Sequence, residues 1–405
     1  MELSVGYTFA PGLIRKLAAF SCVREIYGKL DRDSIGGGRS TYTLRRTTRS
    51  LLRARVDEAH RHGIEFNYLI NAAWLGGLEQ TRSGRKKIRR LLDFIASCNV
   101  DSVTVASPCL ASIVKTQYPQ FKLRVGVFAV VDSPLKAQRW ECLGADTICV
   151  SAIACNRDFA RLEAIRNAVS CRLQLIVNAS CIAGCAYELT HMQMLSQSSR
   201  SGDPLRGFVL DYCFLNCSSQ RLDDPLNFIR SIWVRPEDLH LYEKIGYDSF
   251  KIVERSSPEE LVLKRVAAYA HRSFDGNLWE LVAPVAYITA RQKASLCSRF
   301  RVIAHLFRPN LIKTSSMLLM KKYAEKLLVA DYQAPDSPVY IDNKALEGFL
   351  EGLHERECAK MNCEQCSYCS AWVEKAVRID PQYRDEVLEL AGKLDEGLRK
   401  STHWL

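Results

Sequence analysis

Up to about residue 272 the chain repeats one unit, a short β-rich run followed by a helical pattern, at spacings of roughly 20–35 residues. That rhythm leaves few folds open. Consecutive parallel strands need a crossover long enough to hold a helix, and such units stack into either an open sheet or a closed barrel. The β-rich runs are Leu3–Thr8, Val23–Gly28, Glu65–Ile70, Ser102–Ala106, Leu123–Val130, Thr147–Val150, Leu173–Val177 and Phe250–Val253. Eight of them fit a closed barrel. Between them, 44–62, 86–97, 110–117, 133–143 and 157–169 carry apolar residues at helical spacing. The expected class is therefore α/β, a (β/α)8 TIM-like barrel.

The seventh unit breaks the rhythm, because more than seventy residues separate Val177 from Phe250. An insertion of that length inside a barrel is usually functional. Residues 178–235 form this cysteine-bearing insertion, which ends in an extra β-like run, Ser231–Val234, ahead of Pro236 and a helical 237–245. Past 272 the alternation fades. Short β-like runs mix over 283–312, 314–327 is helical, 331–337 reads as a loop, and 342–405 is helical on both sides of a cysteine cluster. The expected organisation is a barrel over 1–272 and a smaller C-terminal accessory domain over 273–405.

The composition, 47% hydrophobic and 25% charged, is that of an ordinary globular protein, and no uncharged apolar run reaches the ~18 residues of a membrane span. The opening MELSVGYTF lacks a basic segment followed by an apolar one, so the expected location is the cytoplasm, with no membrane partner. The net charge of +11 is compatible with a nucleic-acid partner, a membrane surface or a small anionic substrate. Much of the excess lies in 45–61 and 82–90, where helical spacing reads as a solvated basic face, and no stretch interleaves basic and aromatic residues. RNA is the less favoured partner on this reading.

Sixteen cysteines in a chain expected in a reducing compartment do not suggest disulfides. Half of them form two tight groups. The scattered ones, Cys149 among them, read as small buried core residues. The first group is Cys181-x3-Cys185 and Cys213-x3-Cys217, with Asn178 before it and His191 after the first pair. Thiolates this close in a chain suit zinc or an iron–sulfur cluster, and Cys181 lies just past the seventh strand, at the barrel end where active sites gather. His191 is an alternative fourth ligand to Cys217, or a hydrogen-bonding neighbour of the ligands. The second group, Cys358, Cys363, Cys366 and Cys369, is compact enough for a second iron–sulfur cluster or a structural zinc. Gly36-Gly37-Gly38-Arg39 lacks the Lys-Ser/Thr ending of a phosphate loop and reads as a flexible surface turn. No Gly-x-Ser-x-Gly or His-Glu-x-x-His run supports a conventional hydrolase.

From Met1 to about Arg272 the order of segments resembles the peptidase U32 family, also called collagenase-like. The pieces are FNYLINAAW with Asn71, DSVTVASPCLASIVKTQYPQFKLRVGV, LGADTICVS, LQLIVNASCIAGC and SIWVRPEDLHLYEKIGYDSFKIVER. The first cysteine pair is more closely spaced than is usual there, and the run Lys251-Ile252-Val253-Glu254-Arg255 also departs, which marks a divergent branch. The resemblance implies a 4Fe-4S cluster on Cys181, Cys185, Cys213 and Cys217. It further implies an oxygen-independent hydroxylase, since relatives act on ubiquinone precursors, a tRNA uridine or a ribosomal RNA cytidine, with prephenate as the implicated oxygen source. A U32 peptidase, or a non-catalytic subunit paired with a U32 paralogue as in the ubiquinone branch, is the alternative. Asn71, Asn178, Arg235, Lys251 and Arg255 are the candidates to orient a small anionic, prephenate-like substrate, with Arg235 at a strand-to-helix turn singled out and a salt bridge to Glu237 or Asp238 as its other role.

Overall fold

The computed structural model describes residues 1–41, 44–205, 207–283, 311–328, 337–356, 358, 362–363 and 365–405. The β-like runs expected within 284–310 and most of the loop expected over 331–337 lie outside the described residues.

Eight parallel strands close into a barrel: β1 (Glu2–Gly6), β2 (Val23–Gly28), β3 (Glu65–Ile70), β4 (Ser102–Val105), β5 (Lys122–Val125), β6 (Thr147–Cys149), β7 (Arg172–Ile176) and β8 (Ser249–Ile252). They pair in chain order, and β1 meets β8 with Ser4 opposite Lys251. The fold is thus the expected (β/α)8 barrel. Alternation along each strand explains it. Leu3, Val5, Ile26, Phe66, Val103 and Phe250 face outward into the helical layer and are fully buried there. Their neighbours point into the barrel.

The inward residues at mid-height are polar and satisfy one another. Glu25 accepts from Asn67 Nδ2 and Ser102 Oγ at 3.3 Å and pairs with Arg124 Nε at 2.7 Å, while Thr104 Oγ1 donates to Asn67 Oδ1 at 2.9 Å. A buried ion pair adds little stability by itself, but here every carboxylate lone pair is used, so the plug is held in one arrangement. One layer nearer the carboxyl ends stand Gly6, Tyr27, Leu69, Cys149, Ile176 and Lys251. All of them but Gly6 line a cavity at the barrel mouth.

Two expectations need correction. The fifth strand ends at Val125 rather than Val130, because Gly126 bonds Val105 O at 2.7 Å and the chain then turns through 127–129 into Val130 at φ 47°. A side chain at Gly126 would meet Thr104 Cγ2 at 2.9 Å, so the turn needs glycine. Ser231–Val234 is not a strand. Ile232 N bonds Cys181 O and Val234 N bonds Val177 O, so the segment runs beside the chain leaving β7, and Ile232, Trp233 and Val234 are buried, which accounts for its β-like composition.

The insertion folds as helices Glu188–Ser198, Tyr212–Asp223 and Leu226–Ile229. Beyond it, helices Thr314–Leu328, Tyr368–Ala376 and Pro381–Arg399 and an antiparallel pair, Val339–Ile341 with Val377–Ile379, share one continuous apolar core with the barrel. Pro381–Arg399 packs on Tyr212–Asp223, and Tyr368–Ala376 on Leu226–Ile229, so the C-terminal segment buttresses the insertion. Among the described residues no helix is long and apolar enough to cross a membrane.

Candidate functional site

A cavity of about 220 Å³ opens at the carboxyl ends of the strands, roofed by the insertion. Cys181 and Cys185 reach it from the loop leaving β7. Cys213 and Cys217 reach it from one face of helix Tyr212–Asp223, where a spacing of four residues stacks side chains a turn apart. Asp211 caps that helix by accepting from Phe214 N at 3.0 Å, and its other oxygen meets His191 Nε2 at 3.2 Å. One further turn along, Arg221 donates to Ser180 O at 2.9 Å and to Cys217 Sγ at 3.4 Å. The helix pair of thiols and the loop pair are tied together by this buried guanidinium.

The thiols sense one another. Burial, then Cys217 and Cys185, push the Cys181 thiol up to about 12; burial, then Asp211 and the neighbouring thiols, push Cys213 up to about 12. Burial also raises Cys185. Cys181 lies deep in the protein, yet its surface is open, because what it faces is the cavity. Cys181, Cys185 and Cys213 therefore resist ionisation, and bound metal reverses that by supplying positive charge. The donor set fits a soft metal or an iron–sulfur cluster. Among the described residues no three His, Cys, Asp or Glu side chains are gathered tightly enough to hold a single metal ion.

Opposite the thiols the wall is cationic. Lys251 and Arg255 are each more than nine-tenths buried, and neither side chain forms a hydrogen bond or ion pair with a described residue. Lys251 Nζ sits 4.0 Å from the centre of the Tyr27 ring, and burial, with Arg124 and Arg255 nearby, lowers its pKa. Burial pulls the Arg255 guanidinium down to about 10, and Arg39 adds like-charge repulsion. Gly6 makes room for this layer, since a side chain there would stand 3.1 Å from Tyr27 Oη and 3.2 Å from Arg255 Cγ. Asn71 lines the same space, and its buried amide oxygen, without a hydrogen-bond partner, lies on the Gly37 side, where a side chain at Gly37 would stand 3.0 Å from it.

The glycine run is not a surface turn. Gly36 and Gly37 are buried, Gly37 N donates to Ser199 Oγ at 2.7 Å, and a side chain at Gly36, whose φ is 88°, would stand 2.3 Å from Ser196 O. Close packing against helix Glu188–Ser198 is what the glycines serve. The run delivers Arg39 to the cavity, where it grips Glu254 through Nε at 3.3 Å and Nη2 at 3.0 Å. Burial would raise the Glu254 carboxyl, but Arg39 and Ser256 hold it below its ordinary range.

Of the five residues expected to orient substrate, Asn71, Lys251 and Arg255 line the cavity, while Asn178 and Arg235 do not. Asn178 clips β7 to β8, donating to Val253 O at 3.1 Å and accepting from Val253 N at 2.7 Å. Arg235 takes its other expected role, except that the pair is buried: Nε lies 3.4 Å from Asp238 and 3.5 Å from Glu237. Cys358, Cys363, Cys366 and Cys369 lie away from the cavity, with the first two exposed; burial and then the other three thiols raise Cys358, while Arg230 and Arg157 face Cys369. Among the cavity residues that escaped sequence reasoning, besides Tyr27 and Arg221, are Cys149 and Glu188. Cys149, read as core, faces inward at the end of β6, and its parity with Thr147 was the available signal. Glu188 carries a carboxyl that burial raises, 3.5 Å from Ser151 Oγ.

Residues 31–276 match the family model described as Peptidase family U32. The uncharacterized protease MJ1657 of Methanocaldococcus jannaschii is 27% identical over 367 residues, covering 88% of this chain and 93% of that protein. Among solved structures, the U32 peptidase Mk0906 is 22% identical, covering 63% of this chain and 93% of its own, with a TM-score of 0.47.

Proposed function

The chain belongs to peptidase family U32, and from that premise we propose that it is an iron–sulfur-dependent tailoring enzyme that hydroxylates a small anionic metabolite or an RNA base without molecular oxygen. One observation carries the reading: four thiols from two separate elements share a single cavity with two unpaired buried cations. Cys181, Cys185, Cys213 and Cys217 would hold a 4Fe-4S cluster, which supplies one-electron redox chemistry when bound.

The protein's own residues do the positioning. Lys251 and Arg255 bind a carboxylate, prephenate by family analogy, because each cation lacks a counter-charge of its own. Asn71 lines the same cavity and offers its side-chain amide to the ligand. Glu188, whose carboxyl burial raises above its ordinary range, accepts from Ser151 Oγ at the cavity wall. Helices Glu188–Ser198 and Tyr212–Asp223 cover the mouth and restrict water. Anaerobic purification tests the reading. Iron and acid-labile sulfide in equal amounts are expected, and zinc without sulfide overturns it.

A thiol-peptidase reading has one observation of its own: His191, held by Asp211, lines the same cavity as Cys185 and Cys213. Cleavage of peptides by iron-free protein, abolished by His191→Gln, would select it.

A further inference from the structure

We infer that Cys358, Cys363, Cys366 and Cys369 form a closed zinc site whose negative charge is balanced by Arg157 and Arg230, and that this centre fastens the C-terminal segment to the insertion. The inference does not depend on what the cavity thiols hold.

The ligand set is the first observation. Cys358-x4-Cys363 and Cys366-x2-Cys369 are two pairs at the spacing of closed zinc sites. Gln365 N and Cys366 N both donate to Asn362 O at 3.1 Å, which makes a tight turn between Cys363 and Cys366. Cys369 stands in the first turn of helix Tyr368–Ala376, and that turn is pinned to helix Phe349–His354: Tyr368 Oη donates to Phe349 O at 2.7 Å, and the two rings stack with centres 5.8 Å apart. Gly352 leaves the room for this contact, since a side chain there would stand 2.3 Å from Tyr368 Oη. Cys358 follows the end of helix Phe349–His354, and the other three thiols face it. They stand short of the distances around a bound ion, so metal would draw the exposed pair, Cys358 and Cys363, in toward the helix.

The second observation comes from the other side of the contact. Arg157 follows helix Ala152–Cys155 after β6, and Arg230 ends helix Leu226–Ile229 of the insertion. Arg157 is held in place, with Nε and Nη2 on Ser231 O at 3.1 and 2.7 Å and its guanidinium 4.3 Å from the centre of the Trp233 ring. Its Nη1 is buried without a hydrogen-bond partner, and so is Nε of Arg230. Neither guanidinium is in an ion pair with a described residue, yet both face Cys369. Four neutral thiols would leave these cations without a counter-charge. Four thiolates around Zn2+ carry two negative charges, which the two arginines match. Zinc suits the place better than an iron–sulfur cluster, because two of the thiols are exposed and zinc has no redox chemistry for air to disturb. Helix Leu226–Ile229, on which Tyr368–Ala376 packs, itself packs on Tyr212–Asp223, so the centre braces the helix that carries Cys213 and Cys217.

The test counts zinc, iron and sulfide in the full chain and its variants. About one zinc per chain is expected, with sulfur neighbours only at about 2.3 Å in X-ray absorption at the zinc edge. The Cys363→Ser, Cys369→Ser variant should lose that zinc. Arg157→Met with Arg230→Met should weaken zinc retention against a chelator roughly tenfold, as loss of groups supporting the ligands does. Arg157→Lys with Arg230→Lys should restore most of it, because Lys keeps the charge, whereas a role in packing alone would not separate Met from Lys. Urea unfolding of the zinc-free proteins checks the fold, and Arg230→Met alone serves if loss of the Arg157 bonds to Ser231 disrupts it. Four results overturn the proposal: zinc unchanged in the cysteine variant, iron and sulfide lost there in place of zinc, a disulfide among the four cysteines, or wild-type zinc retention in the Met variants.

Discussion

Arg221 donates from Nη2 to Cys217 Sγ and from Nη1 to the Ser180 carbonyl, so one buried guanidinium holds the helix thiols against the loop thiols. Ser231 Oγ donates to the same carbonyl at 3.2 Å. Cys181 follows Ser180 directly, and its carbonyl accepts from Ile232 N. The loop pair is therefore positioned from both sides.

Arg221→Met should separate the pairs without unfolding the barrel. Losing a charged hydrogen bond to a carbonyl that keeps another partner costs about 1.5–3 kcal/mol. Bound iron and sulfide should fall by more than half, measured beside a urea unfolding curve. Full iron content in that variant would show that the thiols hold their positions unaided.

Lys251 and Arg255 illustrate a trade between stability and binding. An unpaired cation taken out of water opposes folding, as the lowered pKa of Lys251 reflects. Lys251→Met is expected to raise stability by something on the order of 1 kcal/mol while removing most affinity for prephenate in titration calorimetry. A destabilised variant with intact affinity would make Lys251 a structural element of the floor.

The strands were legible because each alternates between an apolar outward face and an inward one, and that pattern survives in sequence. Where the chain leaves a strand was not: Gly126 ends β5 through contact with Thr104 on a neighbouring strand, which no local pattern records. The cysteine positions could be read from spacing. The cationic wall could be read only in part. Lys251 and Arg255 share the inward parity of β8 and the turn after it, whereas for Arg235 the sequence left a substrate role and a salt bridge to Glu237 or Asp238 both open, and the fold makes the salt bridge. The role of Gly36 and Gly37 depends on helix Glu188–Ser198, some 160 residues on. Long-range packing of that kind leaves no local signature.

Asp238 predicts a pH dependence. Burial pushes its carboxyl up to about 7 even with Arg235 at 3.4 Å. The folded state then holds a proton that the unfolded state releases above the ordinary carboxylate range, so between about pH 4 and 7 stability falls as pH rises, by up to ~1.4 kcal/mol per unit, and levels off above 7. Asp238→Asn should remove that slope in urea unfolding at pH 5, 6, 7 and 8. An unchanged slope would assign the titration elsewhere.

The last prediction separates the two cysteine groups. Cys213 is buried in the cavity, one turn from Cys217 and beside the Asp211 cap, so Cys213→Ser keeps the helix, its cap and its packing while replacing one soft donor with a hard one. Cys366 precedes helix Tyr368–Ala376, which packs on Leu226–Ile229 at the far end of the insertion and does not reach the cavity. Under the proposed function, Cys213→Ser should lower bound iron and sulfide and abolish turnover with little change in unfolding temperature. Cys366→Ser should do the reverse, leaving the cavity's iron in place while exposing the C-terminal segment to limited proteolysis, because metal held there fastens a region rich in short elements. Each variant acts as the control for the other. Loss of turnover in Cys366→Ser, with cavity iron and proteolytic resistance both intact, would give the C-terminal group a part in electron transfer and end its assignment as a fastener.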